Sequence, residues 1–143
     1  MVKLIATLLY IGYLPLMPGT WGSIAGVITY VLLRNNSFAY ISITLLSVVT
    51  GFIVSRFVEK EFSSKDPREV VIDEFSSQLV VFLFIPYSIF NIILGFTLFR
   101  IFDIFKLPAI KKIERLPKGY GIMLDDLAVA IFVNLILQVK TFL

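Results

Sequence analysis

Cysteine and histidine are both missing from this 143-residue chain. Their absence excludes disulfides, thiol nucleophiles and any metal site built from thiolate or imidazole. A metal site here must be made of oxygen ligands, a donor set that suits Mg²⁺ or Mn²⁺ better than Zn²⁺. Charge is scarce too, with Asp, Glu, Lys and Arg making up 16% of the residues. Apolar side chains fill the space: 58% of residues are hydrophobic, 14 are Phe, and the mean hydropathy is +0.92. A soluble domain of this length has too little interior to hide that much apolar surface. The expected solvent is therefore a bilayer. The expected fold is all-α, a polytopic membrane helical bundle in one domain, 1–143, with four to five embedded helices and a short N-terminal helix. The net charge of +3 reads as topology and affinity for anionic lipid; no base-reading motif suggests nucleic acid.

Residues 3–14 read as a short apolar helix, broken by Pro15, Pro18 and Gly19. Lys3 before an apolar run, with Ser23-Ile-Ala25 beyond it, faintly matches a signal peptide. The interrupting prolines, and the Pro-Gly-Thr-Trp-Gly-Ser turn that cleavage would discard, argue against that reading. Helices are expected at 22–33, 38–55, 69–85, 89–106 and 122–141, joined by a polar stretch at 56–69, a Pro86-Tyr87-Ser88 turn and a basic loop at 106–120. Alternating the crossings brings the starts of 22–33, 69–85 and 122–141 to the same face as the ends of 38–55 and 89–106. All ten acidic residues fall at that face, as do all Lys and Arg except Lys3, Arg34 and Lys140. By the positive-inside rule it is the cytoplasmic face.

Charges beside apolar helices are costly unless paired, metal-bound or placed at the water boundary. Asp73-Glu74 at a helix start fits simple favourable interaction with the macrodipole. The Ser76-Ser77-Gln78 run that follows makes a polar pocket the better reading. Arg100 and Asp103, three apart, share a helix face, with Lys106 three further on. They fit either an intrahelical ion pair with a snorkelling lysine or a metal carboxylate beside cations for a phosphate. Asp125 and Asp126 point about 100° apart on a helix, so one can face a pocket while the other caps or contacts a loop. The turn from Pro18 to Ser23 is either an ordinary N-cap with an interfacial Trp or an anion site of helix-start N–H groups and hydroxyls. Five carboxylates crowded at one face repel and tend to protonate unless a cation sits among them. Metal-assisted hydrolysis of a phosphate ester, in which the metal polarises the phosphate and activates water, uses such a site.

At these residues the chain resembles the phosphatidylglycerophosphatase A family. The matching blocks are Pro18-Gly-Thr-Trp-Gly-Ser23, Val71-Ile-Asp73-Glu74-Phe75, and Gly95 through Asp126. The last contains Phe99-Arg100-Ile-Phe-Asp103-Ile-Phe-Lys106 and Gly121-Ile-Met-Leu-Asp125-Asp126. The resemblance implies a Mg²⁺-dependent membrane phosphatase that converts phosphatidylglycerophosphate to phosphatidylglycerol at the cytoplasmic face of the bacterial inner membrane, with phospholipid as its partner. It implies metal binding by Asp73, Glu74, Asp103, Asp125 and Asp126, with Asp73, Asp103 and Asp126 central to catalysis. Arg100, Lys106 and Thr20 would bind the substrate phosphate. The chain departs from the family pattern at Ser77, where the family has Gly, at Lys118-Gly119 in place of Gly-Gly, in the loop Lys106-Leu107-Pro108-Ala109, and at Val129-Ala130 in place of Ala-Gly. These departures bear on loop shape and helix packing; every charged motif residue is present.

Two other classes compete. An ion channel or carrier would use the acids as a cation relay. It would need polar residues reaching the far face, where Asn91, Thr97 and Asn134 are sparse. A CDP-alcohol phosphotransferase also uses acids and metal at a membrane face, but its long Asp-Gly…Ala-Arg…Gly…Asp…Asp signature is missing.

Overall fold

The computed structural model describes residues 1–64, 67–105, 108–113, 116–117 and 119–142. The described residues contain helices and no strands: α1 (Val2–Ala6), a 3₁₀ turn (Ile11–Tyr13), α2 (Pro18–Leu33), α3 (Ser37–Phe62), α4 (Ile72–Val81), α5 (Ile89–Ile104), α6 (Pro108–Ile113) and α7 (Tyr120–Phe142).

Several boundaries differ from those expected, each for a local reason. The expected helix 3–14 is only the five-residue α1 followed by the 3₁₀ turn. The Thr7 hydroxyl accepts the Tyr10 N–H at 3.1 Å, and Leu8, Leu9 and Tyr10 take left-handed backbone angles. Helix α2 starts four residues earlier than expected, because Pro18 sits at its first position, where its missing N–H costs nothing. Helix α3 runs on through Arg56, Glu59, Lys60 and Glu61. These are good helix formers with no Gly or Pro among them, and the helix stops only at Ser63, which is left-handed. Helix α4 ends at Val81 instead of 85, and a six-residue α6 occupies part of the basic loop.

Short α4 is the centre of the molecule, packed between α2, α3 and α7. Leu79, Val81 and Phe82 join Phe99 of α5 and Val129, Val133 and Leu137 of α7 in the main core, where Phe82 stacks on Tyr30 at 4.7 Å. Close packing on α2 requires glycine: a Cβ at Gly22 would stand 2.9 Å from the Val71 carbonyl oxygen. Burial of the α4 end creates a demand for donors, since its last carbonyls lack the regular helical partner four residues on. Asn134 of α7 supplies them, its Nδ2 donating to the carbonyls of Val80, Val81 and Leu83 at 3.3, 2.9 and 2.9 Å. The Tyr40 hydroxyl donates to Leu79 O at 2.6 Å and the Tyr30 hydroxyl to Ile85 O at 3.1 Å. Asn91 closes the next turn onto Pro86 O at 2.9 Å.

The outward surface stays apolar: Leu45, Leu46, Val49 and Ile53 on α3, Ile93 and Ile101 on α5, and Ile131, Leu135 and Val139 on α7 are exposed. Two helices, Ser37–Phe62 and Tyr120–Thr141, are long and apolar enough to cross a membrane. At 16, 10 and 16 residues, α2, α4 and α5 are shorter than the roughly 20 residues that span a hydrocarbon core alone. Asn134→Leu removes the amide donor shared by the Val80, Val81 and Leu83 carbonyls, of which Val80 O keeps the Leu83 N–H. It should cost about 1–3 kcal/mol, read as a lower unfolding midpoint in detergent with the helical content of the folded state unchanged.

Candidate metal centre and phosphate site

The starts of α2, α4 and α7 and the end of α5 meet at one end of the bundle. Asp73 and Glu74 occupy the first turn of α4, outside the two helices long enough to span a membrane. Asp126 reaches them from α7. One carboxylate oxygen from each of the three lies within 4.8 Å of the others. From α5, the Arg100 guanidinium binds Asp103 at 2.8 Å and donates to Ser23 Oγ at 3.4 Å. The first turn of α2 lies directly against this group: a Cβ on Gly19 would collide with Glu74 Oε1 and stand 3.3 Å from Arg100 Nη1. Only glycine lets the positive start of α2 come so near the carboxylates, where its dipole favours negative charge.

The predicted residues divide into layers. Asp73, Glu74 and Asp126 form the compact triad. Asp103 stands beside it, tied to Arg100 and close enough for its charge to act on Glu74. Asp125 is buried and turns Oδ1 onto the backbone N–H of Asp126 at 2.9 Å, and its charge acts on Asp73. Thr20 is partly buried, one residue beyond Gly19 in the α2 turn. Lys106 lies outside the described residues. No particular role was assigned to Gly19, Ser77 or Gln78 from sequence. The polar run after Asp73-Glu74 signals the latter two; nothing local signals that Gly19 faces Glu74.

Burial raises the Asp73 carboxyl well above its usual range, and the charges of Glu74 and Asp126 raise it further. A hydrogen bond from protonated Asp73 to Glu74 keeps Asp73 neutral and favours charged Glu74. Burial nonetheless leaves Glu74 raised, even with Arg100 opposing it. Asp73 Oδ1, Glu74 Oε2 and Arg100 Nε are buried and make no hydrogen bond. Hard, clustered carboxylate oxygens with open lone pairs fit a divalent cation such as Mg²⁺. Oxygens sharing one Mg²⁺ at about 2.1 Å stand up to about 4.2 Å apart, so the triad needs only a small inward movement to share one. Arg100, beside the cluster and with its Nε unbonded, suits an anionic oxygen of a phosphate.

Comparisons with known proteins bear on this end of the bundle. Residues 4–140 match the family model described as phosphatidylglycerophosphatase A. A Haemophilus influenzae protein named phosphatidylglycerophosphatase A is 36% identical over 119 residues, 80% of this chain and 73% of that protein. An Escherichia coli protein of the same name is 28% identical over 84% of this chain and 72% of its own length. A Bacteroides thetaiotaomicron protein named putative phosphatidylinositol-3-phosphatase is 30% identical over 90% of this chain and 86% of its own. No solved structure matches the chain significantly.

The raised carboxyls have a consequence for stability. With both carboxyls raised by burial, the folded protein binds protons there more tightly than the unfolded chain, whose carboxyls titrate near pH 4. Their contribution to stability is therefore fully present below that pH and lost as pH rises through the folded values. Cation-free protein should show a falling unfolding midpoint as pH is raised from 5 to 8, and Mg²⁺ should restore it, by more at pH 8 than at pH 5. Thermal scans in EDTA and in Mg²⁺ across that range measure both slopes.

Proposed function

The chain belongs to the phosphatidylglycerophosphatase A family, and from that premise we propose that it hydrolyses phosphatidylglycerophosphate to phosphatidylglycerol and phosphate, using Mg²⁺ at the cytoplasmic face of the cell membrane. The observation that carries this reading is the buried triad of Asp73, Glu74 and Asp126 beside Arg100. The triad would hold the cation, with Asp103 and Asp125 completing or orienting its ligands. Once bound, Mg²⁺ would polarise the phosphoryl oxygens and make a water more acidic. Arg100 binds and orients the phosphate, assisted by Thr20 and Lys106. Water attacks phosphorus and gives up a proton, the bond to the glycerol oxygen breaks, and that oxygen takes a proton back from the cluster and leaves as a hydroxyl. A carboxylate of the cluster, Asp73, Asp103 or Asp126, takes the proton from the attacking water.

The apolar outer surface supports a multi-pass bundle in which α3 and α7 cross and the shorter helices are embedded against them. The site then lies at headgroup level, where a diacyl substrate presents its phosphate without leaving the bilayer. The bias of Lys and Arg toward that end supports a cytoplasmic orientation. A carrier is less well supported, because Asn91 and Asn134 are engaged with backbone carbonyls around the α4–α5 turn. The Bacteroides relative favours one variation, a different phosphomonoester on a phospholipid headgroup.

Purified protein in detergent should release phosphate from phosphatidylglycerophosphate with Mg²⁺ and not with EDTA. Asp126→Asn should lower the rate by at least about 100-fold, beyond the usual loss from an outer-shell change. Arg100→Ala should lower it by roughly 10²- to 10³-fold, the scale for removing one donor to the reacting group. Phosphatidylinositol 3-phosphate assayed in parallel checks the substrate: faster turnover of it would replace phosphatidylglycerophosphate in this reading. Release that is unaffected by EDTA and by Asp126→Asn would overturn the site.

A further inference from the structure

One helical turn further along α4 from the acids, Ser77 and Gln78 are completely buried. Ser77 Oγ and both amide atoms of Gln78, Nε2 and Oε1, make no hydrogen bond. Ser77 is four residues from Asp73, and Gln78 four from Glu74, so each lies on the same helix face as one acid, nearer the bundle interior. Helical side chains lean toward the helix start, which inclines both polar groups toward the carboxylates. Fully buried amides and hydroxyls without partners are rare, because desolvation is not repaid, and they call for a water or ligand. Helix α2 is shaped to admit Gln78: a Cβ on Gly26 would stand 2.8 Å from Gln78 Cβ. The adjacent Ser76, by contrast, is satisfied within the helix by Ile72 O.

Three carboxylate oxygens do not fill the octahedral shell of Mg²⁺, which keeps several of its waters. Those on the interior side need donors and acceptors, in a bundle whose core is built of apolar side chains such as Leu79, Val129 and Val133. We propose that Ser77 and Gln78 are positioning residues forming the floor of the cation site, where they hydrogen-bond the waters that complete the cation's shell and thereby set its affinity. This rests on the cation site proposed above. An amide suits the task because Oε1 accepts from a water while Nε2 donates to a water or a carboxylate oxygen. A hydroxyl at 77 adds one more adaptable partner.

The test is Mn²⁺ binding, followed by electron paramagnetic resonance on detergent-purified protein without substrate. The wild type is compared with Gln78→Leu and Ser77→Ala, and cation-free thermal stability is measured alongside. Gln78→Leu should weaken Mn²⁺ binding by about 10- to 100-fold, as outer-shell losses do, while its cation-free unfolding midpoint stays level or rises because two orphaned atoms are gone. Ser77→Ala, a smaller change that keeps the helix, should weaken binding in the same direction. A purely structural role predicts the reverse: a lower cation-free midpoint and wild-type Mn²⁺ affinity. Wild-type affinity in both variants overturns the proposal while leaving the carboxylate site standing. Folded wild-type protein that binds no Mn²⁺ removes the carboxylate site and the floor together.

Discussion

Three carboxylates brought within 4.8 Å of one another at one end of an apolar bundle impose the condition that the surrounding structure answers. Desolvation and mutual repulsion both oppose ionisation there. Two neighbouring helices bring positive potential to the same spot. Helix α5 contributes Arg100, held between Asp103 and Ser23. Helix α2 contributes its start, admitted by the absence of a side chain at Gly19. The remaining open lone pairs on Asp73 and Glu74 are what a divalent cation would take up.

Helix α4 is governed by the same logic at its other end. Ten residues cannot cross a bilayer, so α4 ends inside the bundle, where its carbonyls would face hydrocarbon. Asn134, Tyr40 and Tyr30, from three other helices, turn polar groups onto it. These contacts fix the depth of α4, and with it the level at which Asp73 and Glu74 sit. Packing on the glycine face of α2 fixes its rotation. The acids are thus placed by backbone contacts along the whole helix, an arrangement suited to holding ligands before a cation or substrate arrives.

Family membership and physical reading meet on different ground. The comparisons span nearly the whole chain and concern phosphatases of phospholipid headgroups. The geometry speaks to a chemistry that would serve any of them, a cluster of carboxylate oxygens next to a guanidinium. The relatives' names differ in headgroup, and the features described at this end, hard anions and one arginine, recognise a phosphate monoester more than what lies beyond it. Discrimination between headgroups must come from residues further out.

Much of this was legible in the chain as written. Lack of His and Cys narrows any metal site to oxygen ligands; the apolar excess makes helices in a bilayer the expected class; and the grouping of acids at one end of each hydrophobic run points to the end of the bundle where Asp73, Glu74 and Asp126 meet. These are properties of composition and order, which survive any particular packing. Boundaries were less legible where competing local effects decide them. Strong helix formers carried α3 through a stretch that looked like loop, and the Thr7 hydroxyl and a left-handed turn cut α1 short. Tertiary structure alone decided which acids share a centre, that Asp126 joins Asp73 and Glu74 while Asp125 turns to backbone, and that Gly19 and Gly26 are the openings through which α2 meets Glu74 and Gln78. Such choices depend on the rotation and depth of each helix, set by contacts between residues far apart in the chain, and no local pattern of residues encodes them.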